Sequence, residues 1–301
     1  MNTEPTLTET GARIFIAATP AEWLPMRVLE FSIREISSIP VEVSPIYSFE
    51  RSIPVPEALE NRPRTPFSFQ RFLIPELCGF SGKAIYLDAD MQVFQNITGL
   101  WDRPFSGSDL QTVEKAEGSR RPQFSVMLLD CSKLNWKIEE IVADLDANRL
   151  NYASLMFEMR VAKNIAWTIP DTWNSLEHYE PGETALLHYT DMNTQPWVSI
   201  KNKNANLWVS CLRRAVNSGF ISRSDIEREI EAGNARPSLL YQIENGLDDP
   251  RALPARQLLR DVKFIPPYNR ILKTRRPILY VYARQLLSML MLSGRRLLGK
   301  P

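Results

Sequence analysis

Lys83-Ala-Ile-Tyr-Leu-Asp88-Ala89-Asp90-Met-Gln-Val93 is the stretch on which the reading of this chain turns. A short apolar run, Ala84 to Leu87, stops at two carboxylates one residue apart. An uninterrupted apolar run of that length fits an extended segment buried on both faces. Asp is disfavoured inside strands, so the acidic pair is expected where the strand leaves the sheet. In open α/β sheets that end is where ligands bind. Two acids there can hold a divalent cation, whose remaining positions are commonly filled by phosphate oxygens. Taken alone, the pattern is weak, because most such pairs are solvated turn residues.

The surrounding elements supply a context. Arg13-Ile-Phe-Ile-Ala-Ala18 reads as a short strand, and Thr19-Pro20 opens a helix expected over residues 21–38. Residues 40–47 read as a second strand, bent at Pro45. This β-α-β opening predicts an α/β fold built on a nucleotide-binding sheet. A proline- and charge-rich loop (51–68) and a short helix (70–77) then lead into the acidic strand. Further strands are expected at 123–130 and 185–189, and helices at 136–148 and 151–161. After about Lys203 the pattern becomes helical, including a helix opened by a Ser224-Asp-Ile-Glu227 capping box and closed by Gly233.

One of the chain's two histidines, His188, ends the strand expected at 185–189. With Asp88 and Asp90 it would form a mixed nitrogen and oxygen site, better suited to Mn²⁺ than to Mg²⁺. His178 falls in a loop and is assigned a structural role.

Three linked features then resemble the retaining glycosyltransferases of family eight, the glycogenin-like and bacterial lipopolysaccharide-sugar enzymes. These are Arg71-Phe-Leu-Ile-Pro-Glu-Leu77 shortly before Tyr86-Leu-Asp88-Ala-Asp90, the Asn96-Ile-Thr-Gly-Leu-Trp101 that follows, and a late His188-Tyr…Pro196-Trp197 segment. The resemblance covers roughly residues 13–199. It implies a GT-A fold, a Rossmann-like mixed sheet flanked by helices, with a C-terminal helical extension. It also implies a hexosyltransferase that uses a UDP-sugar donor and Mn²⁺, with Mg²⁺ as the alternative ion. Carried over position by position, Asp88, Asp90 and His188 become metal ligands. Ala17, Ala18 and Thr19 would lie by the uracil, and Arg71 by the donor's sugar or phosphate. Ala89, Gln123, Asp191 and Gln195 complete the donor side. Gln123 stands where the family has an Asn, and Gln195 where it has a Lys. Gln195 can donate a hydrogen bond but cannot neutralise charge. The family's acidic-amide pair near the acceptor has only Asn151-Tyr152 as its counterpart. No catalytic nucleophile is assigned.

Composition bounds the rest. At 301 residues and 44% hydrophobic content the chain can bury a full core. The expected layout is a tail (1–10), a transferase domain (11–203), a helical extension (204–250) and a basic C-terminal segment (251–301). Three scattered cysteines and a polar start without a signal-peptide pattern predict a cytoplasmic setting. A net charge of +1 conceals an asymmetry. Residues 251–300 carry twelve Lys and Arg against the single Asp261, a local +11, so the preceding stretch carries about −10. An amphipathic helix is expected at 276–299, either lying on an anionic membrane, which would make the protein peripheral on the inner face of the cell membrane, or packing on the protein. Nucleic acid is excluded as a partner, because the segment's aromatics form no recognition module. The acceptor would be a glycan, a lipid-linked sugar or another hydroxyl. The rival functional reading is a GT-A domain that has lost turnover and binds a nucleotide sugar or a partner. A dehalogenase-type phosphatase is disfavoured by Gln92, and a nucleotidyltransferase by the lack of glycines after the first strand.

Overall fold

The computed structural model describes residues 11–114 and 124–268, together with Ala283, Leu286, Leu287 and Leu290. It divides into two units, Met1–Pro20 with Ser32–His188, and Ala21–Phe31 with Tyr189–Pro301.

The first unit is a mixed α/β structure. Its first strand, β1 (Ala12–Ala17), is followed in sequence by helix α1 (Trp23–Ile36), whose residues 23–31 belong to the second unit, and then by strand β2 (Val41–Pro45). Pro25 falls in the first turn of α1, where its missing N–H has no partner to lose. Strand β3 (Lys83–Asp88) pairs in parallel with β1. The central sheet runs β2-β1-β3-β6-β5-β7, where β5 is Leu110–Val113, β6 is Val126–Asp130 and β7 is Ile165–Ile169. β6 is antiparallel to both β3 and β5. A second sheet of three short strands runs β4-β9-β8, formed by Met91–Val93, Leu186–His188 and Ser175–Leu176.

Strand periodicity sorts the side chains onto two faces. Ile14, Ile16, Ile85 and Leu87 lie on one face of β1 and β3, fully buried. Phe15, Ala84 and Tyr86 lie on the other, under the segment 69–78 and helix α4 (Ile138–Asp146). Trp136 anchors that layer: its ring meets Phe72 edge-on with centroids 5.3 Å apart, and its indole N–H donates to Val161 O at 3.0 Å. Burying such a ring while pairing its only polar atom stabilises the layer by about 1.5–3 kcal/mol.

Several expected elements are shorter than their sequence pattern suggests. The helix expected at 70–77 is one 3-10 turn, Gln70–Leu73, continued by α2 (Ile74–Leu77). The helix after Asn151 stops early, as α5 (Tyr152–Met156), because Met159 takes a left-handed backbone with φ of 51°. The strand expected from Gln123 starts at Val126. The strands β4, β5, β7 and β8 were not expected.

In the second unit the segment after Tyr189 is helical among the described residues. Its helices are α6 (Ala205–Asn217), α7 (Arg223–Glu231), α8 (Ser238–Glu244) and α9 (Ala255–Arg260). The capping box of α7 is formed by Ser222 and Asp225, not by Ser224 and Glu227. Ser222 has the extended backbone an N-cap requires, which places the helix start two residues earlier than Ser224 would. Arg27 stacks on Phe220 at 4.0 Å, and Trp197 lies against Trp208 at 5.3 Å.

A buried polar knot closes the unit. Arg236, fully buried, donates to Pro196 O, Ser238 Oγ and Gln242 Oε1. Asp261 accepts from Ser238 N at 2.8 Å and from Ser238 Oγ at 2.5 Å, so one serine links the two charges. Burial pushes the guanidinium down to about 10, against the pull of Asp261, which leaves it charged at neutral pH. Arg236→Met would strand Asp261 without its counter-charge. Urea unfolding should show a loss of about 3–5 kcal/mol for this variant, against under 1 kcal/mol for a surface substitution such as Arg149→Met.

Candidate metal and donor site

The acidic pair sits at a handover between the two sheets. Asp88 is the last residue of β3, and Met91, one residue beyond Asp90, is the first of β4. β4 pairs antiparallel with β9 in a register that sets Met91 opposite His188. That pairing brings residues 98 apart in sequence together: His188 Nε2 lies 3.0 Å from Asp90 Oδ1. One ligand atom from each of Asp88, Asp90 and His188 lies within 4.8 Å of the others, as the sequence reading required.

Each group is held by its neighbours. Tyr86 and Asp88, two apart on one strand, share a face, and the phenol donates to Asp88 Oδ1 at 2.5 Å. Complete burial pushes the Tyr86 phenol well above its ordinary value, with the carboxylates of Asp88 and Asp90 adding to the shift against Arg71, so it remains a donor. The Arg71 guanidinium lies 4.7 Å above the Tyr86 ring, with Nη2 3.7 Å from Asp88 Oδ1. Its other nitrogens donate to Ser68 O and Phe124 O, both at 3.1 Å. Phe124 adopts a left-handed φ of 52°, a strained backbone at the point where its carbonyl turns to Arg71.

The imidazole is fixed from both sides. Its Nδ1 lies 2.9 Å from Asn174 Oδ1 while Nε2 faces Asp90. Two oxygen acceptors favour a ring carrying both protons. Burial opposes that charge, but Asp90 and Asp88 outweigh it and raise the ring's pKa above the ordinary value. Asn174 follows Trp173, whose ring would come within 2.7 Å of a Cβ added at Gly99. The glycine of Asn96-Ile-Thr-Gly-Leu-Trp101 therefore lets Trp173 pack against α3 (Thr98–Trp101) and seats the turn that carries Asn174.

The end of β1 completes the edge. Ala17 is the register partner of Asp88. Gln70 spans the next residue, accepting from Ala18 N at 3.1 Å and donating to Ala18 O at 2.9 Å. Ala17 to Thr19 thus border the acidic pair. Sequence reading missed Gln70, Tyr86 and Asn174, although Tyr86 lies inside a motif it quoted and Gln70 immediately precedes another.

Other candidates fall elsewhere. Gln123 lies outside the described residues. Asp191 and Gln195 belong to the second unit. There Asp191 caps its own turn, accepting from Asn193 N and Thr194 Oγ1, and Gln195 donates to Tyr189 O at 2.9 Å. Asn151 is the N-cap of α5, and Tyr152 is buried under Phe69. All three cysteines are buried thiols.

Residues 28–142 match the sequence model of glycosyl transferase family 8. Over that stretch, about two fifths of its length, the chain is similar to the family 8 glycosyltransferases. Protein CDI of Arabidopsis thaliana is 38% identical over 95 residues, which are 30% of this chain and 36% of that protein. The match thus spans about a third of the length of this curated relative. Among solved structures, the glycosyltransferase GlyE of Streptococcus pneumoniae TIGR4 aligns at a TM-score of 0.50 and 15% identity, covering 76% of this chain and 65% of that one. The apo form of the bifunctional glycosyltransferase WbbM aligns at 0.50 and 10% identity, covering 69% and 50%. At such identities the likeness shows the fold, which is GT-A.

The bracing of Ala18 can be tested directly. Gln70→Ala leaves a buried N–H and C=O without their partner, and denaturant titration should show a loss of about 2–5 kcal/mol. A loss within 0.5 kcal/mol would mean the end of β1 needs no such brace.

Proposed function

We propose that this chain is a retaining glycosyltransferase that moves a hexose from a UDP-sugar to a hydroxyl acceptor on a glycan or lipid-linked sugar. The observation that carries the reading is the convergence of Asp88, Asp90 and His188, three potential ligands from two sheets, at the edge where β1 and β3 end. The family match over residues 28–142 supports glycosyl transfer as the reaction class.

The donor set fits a divalent cation. Two carboxylates and one imidazole leave positions open for diphosphate oxygens, and the nitrogen favours Mn²⁺ over Mg²⁺. Asn174 holds the ring so that Nε2 faces the carboxylates, the outer support that metal-binding histidines characteristically have. When bound, the ion offsets the charge that gathers on the departing diphosphate.

The chain's own residues do the rest. Tyr86 and Arg71 fix Asp88, and Arg71 adds a positive charge beside the place where the leaving group forms. Ala17 to Thr19, braced by Gln70, offer a backbone edge for the uracil. In the reaction the bond from the anomeric carbon to the β-phosphate oxygen breaks, and UDP leaves with the electron pair. The acceptor oxygen bonds to the anomeric carbon on the same face, and its proton passes to the departing diphosphate oxygen.

A binding module without turnover is the second reading, favoured by one feature. At the position matching the family's acidic-amide pair, Asn151 is engaged as a helix cap and Tyr152 is buried. A panel of UDP-sugars with Mn²⁺, followed by melting temperature and UDP release, separates the two. Stabilisation with release supports transfer, and stabilisation without release supports the module.

Two substitutions test the site. Asp90→Asn should lower Mn²⁺-dependent UDP release by about 10²–10³-fold with the melting temperature unchanged. Near-normal turnover would remove Asp90 from the site. Asn174→Ala should weaken Mn²⁺ binding about 10–100-fold by calorimetry, which needs no turnover.

A further inference from the structure

We infer that Cys78 and Cys131 form a modification site, a dithiol that a peroxide converts into an intrachain disulfide fastening the segment 70–78 to strand β6. Both residues belong to the first unit and lie at the end of the central sheet away from the acidic pair, where Lys83 pairs with Asp130. Cys78 follows α2 and opens the turn that leads into β3. Its carbonyl accepts from Ser81 Oγ at 3.0 Å, which folds the turn back on itself. Cys131 is the first residue after β6, and its N–H donates to Gly82 O at 2.9 Å. The turn 78–82 therefore meets both cysteines, and the Cys131 thiol is hydrogen-bonded to Cys78 Sγ.

The surroundings divide the two sulfurs into attacker and resolver. Arg13 holds the turn, donating to Ser81 O at 2.7 Å and to Lys83 O at 3.1 Å. The bond from Cys131 lowers the Cys78 thiol below its ordinary value, against the opposing effect of burial, and the Arg13 charge adds to the lowering against Glu42. The same bond, with burial, pushes Cys131 up, so that Cys131 keeps its proton. Cys78 is 6% exposed and Cys131 fully buried, which leaves Cys78 as the sulfur that a small oxidant meets first. The Cys78 thiolate attacks one oxygen of hydrogen peroxide, the O–O bond breaks, and hydroxide leaves and takes up the thiol's proton as water. Cys131 Sγ then attacks Cys78 Sγ of the resulting sulfenic acid. The S–O bond breaks, and the hydroxyl departs with the Cys131 proton as a second water. Two thiols are oxidised for one peroxide reduced.

The bond would complete an attachment that exists at one end only. Arg71 donates to Phe124 O, two residues before β6 begins, whereas Cys131 stands one residue after it ends. A disulfide would thus tie the segment that carries Gln70 and Arg71 to β6 at its far end as well. It would also close a loop of about 50 residues and so restrict the unfolded chain. The third cysteine, Cys211, is buried in the second unit with its sulfur 3.9 Å from Val28 O, and serves as an internal control. The inference involves neither the proposed reaction nor the helix expected at 276–299, almost all of which lies outside the described residues.

The test treats the full chain with about a tenfold excess of hydrogen peroxide, then unfolds it in urea, alkylates it with iodoacetamide and maps its peptides by mass spectrometry. All three cysteines should alkylate before treatment and Cys211 alone after it, with Cys78 and Cys131 recovered in one joined peptide pair that dithiothreitol separates. The melting temperature should rise by about 5–10 °C on oxidation and return on reduction. Cys131→Ser should stop at a sulfenic acid on Cys78, which dimedone captures, with no rise in melting temperature. Cys78→Ser should leave Cys131 and Cys211 oxidising at least about tenfold more slowly than Cys78 does in the parent. Should either variant fail to fold, the peptide map of the unaltered chain decides alone. Three alkylated cysteines after peroxide, a bridge through Cys211 or between chains, or sulfinic acid in place of a bridge overturns the inference. So does a Cys78–Cys131 bridge that fails to raise the melting temperature, since the two elements would then not be fastened by it.

Discussion

The pairing of β4 with β9 is the constraint on which the candidate site rests. Side chains alternate along a strand, so a slip of one residue would send the imidazole of His188 to the opposite face of the small sheet. Two hydrogen bonds outside the ladder hold the register: Val93 N donates to Ser32 Oγ at 3.0 Å, and Phe94 N to Ala185 O at 2.8 Å. With β4 fixed, the chain between Asp88 and Met91 has little freedom, because it must close from the central sheet into the second one. Ala89 fills that corner and is itself buried. The two carboxylates are therefore positioned by strands on both sides, a more rigid mount than a loop provides.

Gathering two acids in a largely buried corner is unfavourable unless positive charge or hydrogen-bond donors meet them. The structure supplies both from within the first unit. Arg71 and the Tyr86 phenol serve Asp88, and the imidazole of His188 serves Asp90. Asp88, Asp90 and His188 would hold a cation with their outer supports unchanged, since Asn174 contacts Nδ1 of the ring and Tyr86 contacts Oδ1 of Asp88.

Much of this was legible in the residues. The acidic pair reads as a strand end because the apolar run before it is short and unbroken, and His188 because its own strand ends the same way. The GT-A resemblance rested on motifs whose parts now have physical roles, Gly99 making room for Trp173 and Arg71 neutralising Asp88. The unread strands, β4, β5, β7 and β8, are two to five residues long and carry Gln, Thr or Ser. They exist because neighbours pair with them, which no local pattern records. Asn174 was invisible for the same reason. Its role depends on a turn set by a tryptophan meeting a glycine some 70 residues earlier, a contact that only the folded chain creates.

The second unit uses its charges in two opposite ways, and the difference follows from where the acids are. Arg213 meets Asp248, Arg228 meets Asp225, and Arg223 meets Glu227 and Glu244. Arg251, at the start of the basic stretch, takes Asp249. From there onward only Asp261 remains, and the knot around Arg236 and Ser238 consumes it in the interior. Burying that acid has a consequence at the surface as well as in the core. Asp261 is buried, while Arg256, Arg260 and Lys263 remain exposed.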